Sequence, residues 1–146
     1  MNVNEDYNRN NVMVYWIEVR ISDSLNDAVH GKGRKESLLY VPEKGVFHYD
    51  GEGVRYDGSK RAIGEADKCV KKYLNSIIEF GEKPTRVGGR TIERMGFIWV
   101  SKEDISTLVS AAEEADQRRD DVLRIIRELQ SRFEKHGHLV LTDYSS

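Results

Sequence analysis

Cys69 is the single cysteine of the 146-residue chain, which excludes an internal disulfide and any multi-cysteine zinc or iron–sulfur site. No run of about 18 apolar residues occurs, so a membrane-spanning helix is not expected. An excess of either charge is lacking too. The chain has 23 Lys and Arg against 25 Asp and Glu, a formal −2, unlike a histone-like tail or an acidic disordered one. The start, Met1 to Asp6, lacks the charged-then-apolar layout of a secretory signal, so a cytoplasmic location is expected. What is present is 38% apolar and 33% charged residues, enough for one core under a polar coat.

Residues 1–11 hold five asparagines and predict a flexible leader. The remainder, 12–146, predicts a single α+β domain. Met13, Tyr15, Ile17, Val19 and Ile21 alternate with Val14, Trp16, Glu18 and Arg20, the period-two pattern of a strand. Trp16 on the second face predicts that this face is covered as well. Residues 22–36 are polar and contain Gly31 and Gly33, which predicts a loop. The β-rich runs 38–41 and 46–49 are joined by Pro42-Glu43-Lys44-Gly45, hairpin chemistry. A second turn at 50–53 returns into Val54-Arg55-Tyr56, completing an antiparallel meander.

From Ser59 the period changes. Ile63, Ala66, Val70, Tyr73, Leu74, Ile77 and Ile78 recur at helical spacing, with Ser59 as N-cap and Gly81 and Pro84 as stop signals. Residues 95–100 predict a central strand, and Ser101 with Asp104 caps a second helix. That helix carries an a/d seam. Ile105, Ala112, Arg119, Ile126 and Phe133 stand seven apart, with Leu108, Ala115, Val122, Leu129 and His136 in the complementary register. No Gly or Pro interrupts 102–135, so a continuous rod would run ~51 Å, against ~38 Å for a compact globule of this length. The rod either folds back near 113–121 or packs on a second subunit. The i,i+4 charge pairs crossing that stretch favour continuity and a homodimer. A short strand over 138–142 closes an order that predicts one antiparallel sheet with its helices mainly on one face.

Charge is distributed by segment. Three Gly- or Ser-containing loop segments, residues 30–35, 59–61 and 83–94, carry nine basic residues against one acid, Glu93. Gathered together, they would attract a phosphorylated ligand, nucleic acid or nucleotide. Lys32 and Arg34 flank a glycine in one segment, and Arg86 and Arg90 flank the Gly88-Gly89 pair in another, where guanidiniums could fork a phosphate. Lys60 and Arg61 sit in a first helical turn, where the macrodipole disfavours cations by roughly 0.3–1 kcal/mol each. Aromatic residues along the meander (Trp16, Tyr40, Phe47, Tyr49, Tyr56) could stack on bases if exposed. The leading expectation is a non-enzymatic binding protein without a cofactor, using Lys32, Arg34, Lys60, Arg61, Arg86 and Arg90 as phosphate contacts.

Two alternatives come from other classes. Three antiparallel strands, helix, strand, helix, strand resembles the element order of ribonuclease-H-like folds. That resemblance implies a metal-dependent nuclease or phosphodiesterase with acids near the first strand, in the first helix and at the end of the fourth strand. Asp23 and Glu65 match the first two, whereas the strand ending at Val100 runs into Ser101-Lys102 and leaves Asp104 as the third. The other alternative is a protein-interaction adaptor, such as a viral or plasmid-borne inhibitor of a host complex. Two smaller motifs also carry chemistry. His136 and His138, if on a strand, would share a face as a weak metal pair, and His48 with Asp50 and Asp57 forms an acid/base cluster at a turn.

Overall fold

The computed structural model describes residues 10–22, 33–81, 84–113 and 119–136. Most of the leader over 1–11, Asp23, Lys32, His138 and the strand expected over 138–142 lie outside the described residues. Among the described residues the elements are, in order, β1 (Asn11–Ile21), β2 (Arg34–Val41), β3 (Gly45–Tyr49), β4 (Val54–Asp57), α1 (Lys60–Phe80), β5 (Thr85–Val87), β6 (Arg90–Ser101), α2 (Lys102–Glu113) and α3 (Arg119–His136). The strands form one antiparallel sheet in the order β4-β3-β2-β1-β6-β5. This is an α+β fold with helices packed on a sheet.

β1 lies between β2 and β6, and both of its faces are covered. Ile17 and Val19 join Leu38, Tyr40, Val46, Ile92 and Met95 beneath Ala66, Cys69, Val70 and Tyr73 of α1. Val14 and Trp16 join Leu39, Phe47, Ile98 and Val100 on the other face, beneath Leu108 of α2 and Ile126, Leu129 and Phe133 of α3. Two helices thus cover one face and α1 covers the other.

Ser59 caps α1 as its sequence implies, its Oγ accepting the Ala62 N–H at 3.1 Å. The buried positions 66, 69, 70 and 73 follow one helical stripe. Ile78 falls off that stripe and is 69% exposed, against the expectation that it packs. Ser101 Oγ likewise accepts the Asp104 N–H and starts α2.

Four expectations are corrected. The loop over 22–36 ends early, because Arg34, Lys35 and Glu36 already pair with Ile21, Arg20 and Val19. The loop over 83–94 is largely a hairpin, β5 to β6, turning at Gly88-Gly89, with Gly88 at φ 61°. The rod over 102–135 is two helices that pack on each other and on the sheet. An a/d seam must bury all its apolar positions, and one sheet face accepts helices of 12 and 18 residues, about 18 and 27 Å, where a 51 Å rod would overhang. The seam residues Ile105, Leu108, Val122, Ile126, Leu129 and Phe133 pack in one cluster with this chain's own strands. Finally, His136 ends α3 rather than lying on a strand.

Candidate functional site

Two aspartates fix the geometry of β4. Asp50 Oδ1 accepts the N–H groups of Glu52 and Gly53, both at 2.9 Å, and closes the turn before the strand. Asp57 Oδ1 accepts the Ser59 N–H at 2.9 Å and closes the turn after it. These backbone donors hold both carboxyls below the ordinary range. The register that results sets Arg55 directly opposite His48 and Asp57 opposite Val46, on the face that α1 covers.

On β2 the same face carries Arg34, Glu36 and Leu38, since Leu38 pairs with His48. His48 Nδ1 lies 2.5 Å from Glu36 Oε1, and both side chains are about nine-tenths buried, at 10% and 9% exposure. The hydrogen bond from His48 lowers the Glu36 pKa, outweighing the burial that raises it, with Arg34 and Arg90 adding to the fall. Arg34 Nη2 stands 3.6 Å from the second Glu36 oxygen.

A bulge brings in Arg90. Glu18 pairs with Arg94 but Val19 pairs with Ile92, so Glu93 is the extra residue of β6. The parity of β6 changes there. Arg90 and Ile92 therefore join Met95 on the α1 face, whereas strict alternation from Met95 would turn Arg90 away. Arg90 Nη1 reaches Glu65 Oε2 of α1 at 3.8 Å, and Arg61 Nε holds Glu65 Oε1 at 3.3 Å.

Two hollows result. One of about 360 Å³ is lined by Arg34, Glu36, His48, Asp50, Gly53, Val54 and Arg55. The other, about 90 Å³ beneath the start of α1, is lined by His48, Arg55, Asp57, Glu65 and Arg90 with apolar neighbours. His48 and Arg55 line both. Among the described residues the Arg55 side chain makes no hydrogen bond or ion pair, and the His48 side chain bonds only through Nδ1.

Of the residues singled out in the sequence, Arg34, Arg61 and Arg90 gather at this site, and Lys60 lies exposed in the first turn of α1 beside Arg61. Lys32 lies outside the described residues. Arg86 does not join them. It pairs across the hairpin with Thr91 on the opposite face, where it donates to Ser22 O, Ser22 Oγ and Thr91 Oγ1 at 3.2–3.4 Å. Glu65 and Asp104 begin helices on opposite faces of the sheet, so these two acids of the nuclease alternative do not converge. Among the described residues no three His, Cys, Asp or Glu side chains gather as a metal site. The meander aromatics are packed: Trp16, Tyr40, Phe47 and Tyr49 are buried, and Tyr56 is half-buried with its ring 4.7 Å from that of Phe47.

Arg55 went unmarked by sequence reasoning, although the turn at 50–53 fixes its pairing with His48. Glu36 went unmarked because it was assigned to a loop. No helix among the described residues is long and apolar enough to cross a membrane. Compared with protein-family models, curated proteins and solved structures, the chain matches none, so the reading of this site rests on its geometry.

Proposed function

We propose that this chain is a binding protein that holds a phosphorylated ligand at the cleft around His48, with Arg34, Arg55, Arg61 and Arg90 as its cations. The observation that carries this reading is the convergence on one sheet face of arginines from β2, β4 and β6 around His48, with Arg61 of α1 joined to them through Glu65. Arg55 supports it further, because among the described residues its guanidinium makes no hydrogen bond or ion pair and its fork can turn to a phosphate.

A compact ligand fits better than a nucleic-acid backbone. The hollows are 360 and 90 Å³, at or below the lower end of small-molecule sites. Glu36 stands beside Arg34, and Glu65 beside Arg61 and Arg90, so among the described residues three of the four cations already face a carboxylate. A nucleoside monophosphate is the preferred candidate over an oligonucleotide.

The test is titration with a nucleoside monophosphate at 20 and 200 mM salt. Affinity should fall with salt, and Arg55→Ala should weaken it roughly 10- to 100-fold, the range for charge-assisted hydrogen bonds of about 1.5–3 kcal/mol. Affinity that ignores both salt and Arg55→Ala would refute the proposal.

A further inference from the structure

Resting on the reading of this cleft as an anion site, we infer that anion binding there takes up a proton at His48, making the site pH-gated. Glu36 is the reason. A carboxylate only accepts hydrogen bonds, so the His48 Nδ1 that faces it at 2.5 Å must carry the hydrogen. A neutral His48 held in that tautomer then presents a lone pair at Nε2, which repels an anion. Protonation converts Nε2 into a donor without disturbing the bond to Glu36.

The groups packed around His48 leave that nitrogen unanswered. On β2, Arg34 and Glu36 pair with each other. On β4, Asp57 is engaged by Ser59 and Arg55 is a cation. Glu65 of α1 is held between Arg61 and Arg90 of β6, and Asp50 is closed into its own turn. No described residue bonds Nε2, and although the side chain is nine-tenths buried this nitrogen stays open to solvent and to an incoming ligand. An anion beside Arg55 would be the partner the imidazolium lacks.

Inorganic sulfate is the probe, because it stays a dianion from pH 5.5 to 8.5 and cannot itself supply the pH dependence. Calorimetric titrations in buffers of different ionisation enthalpy read both affinity and proton uptake. For the wild-type chain affinity should drop several-fold or more between pH 6 and pH 8, with up to one proton taken up per sulfate. His48→Gln should bind with a flat pH profile. Glu36→Gln should also flatten the profile by holding affinity above pH 7.5, since an amide can donate to Nδ1 and allow the neutral tautomer with hydrogen on Nε2. Circular dichroism and melting confirm that each variant is folded. Sulfate binding without a pH slope, or a slope that survives His48→Gln, would overturn the proton coupling and leave the anion site standing. No sulfate binding to the wild-type chain at any pH would overturn both.

Discussion

Phe133→Ala tests the packing of α3 on the chain's own sheet. Phe133 is 2% exposed on α3. Its ring stands 6.2 Å from that of Trp16, and the Arg94 guanidinium carbon lies 5.5 Å from its centroid. Truncating a fully buried phenylalanine costs about 3–5 kcal/mol in transfer and cavity terms. Loss of the cation–π contact adds little, because Arg94 keeps its ion pair with Glu18 and is 44% exposed there. A value near ~4 kcal/mol follows, or roughly 8–16 °C in Tm at about 2–4 °C per kcal/mol for a chain of this size. Chemical denaturation of wild-type and variant chains measures it, with Glu134→Ala on the exposed side of α3 as a control expected within about 0.5 kcal/mol. The seam faces the chain's own sheet, so the wild-type Tm should also be independent of protein concentration. A loss below about 1 kcal/mol, or a Tm that climbs over a hundredfold range of concentration, would refute the packing and restore a shared interface.

Two glycines should respond oppositely to alanine, as followed by urea midpoints. Gly64 in α1 has open space where a Cβ would go, so Gly64→Ala should stabilise by roughly 0.5–1 kcal/mol. Gly45, at φ 156°, would put a Cβ 2.7 Å from Tyr56 Cε1 and 2.8 Å from Asp57 O, so Gly45→Ala should destabilise by more than about 1 kcal/mol. Glu36 has a depressed pKa in the folded chain, so its stabilising contribution is present above the unfolded value of about 4.3 and is lost as pH falls through the folded one. The urea midpoint should therefore fall further between pH 6 and pH 3 in the wild-type chain than in Glu36→Gln, and equal falls would contradict the assignment. Arg86→Ala should lower stability by about 1–3 kcal/mol through its lost hydrogen bonds while leaving sulfate affinity unchanged, which separates it from the arginines of the cleft.

Local pattern carried the elements that bury one stripe or close one turn. The caps at Ser59 and Ser101, the 42–45 hairpin and the double burial of β1 around Trp16 are all near-neighbour physics, and each is present. Two kinds of feature were not legible. The break between α2 and α3 has no Gly or Pro to mark it. It follows from the breadth of the sheet that the seam must cover, a tertiary length that competes with favourable i,i+4 pairs of only a few tenths of a kcal/mol. The placement of Arg90 depends on a bulge at Glu93, and one extra residue inverts every face assignment beyond it. The pairing of Arg55 with His48 lay within reach, because the 50–53 turn joins Tyr49 to Val54 and counting outward gives the rest.

Charge gathered by segment does not by itself rank the arginines of the cleft as ligand contacts. Arg34, Arg61 and Arg90 each stand beside a carboxylate in the folded chain, so an incoming anion must compete with an existing partner for each. Arg61 is also 89% exposed, where screening leaves an ion pair about 0–1 kcal/mol. Among the described residues the Arg55 side chain has no hydrogen bond or ion pair to give up, and its neighbour across the strands is His48. Removal of Arg55 should therefore weaken anion binding most and removal of Arg61 least, by no more than about fivefold, with Arg90 between them. The reverse ranking, with Arg61→Ala the most damaging, would mean that the anion sits at the start of α1 and not against His48.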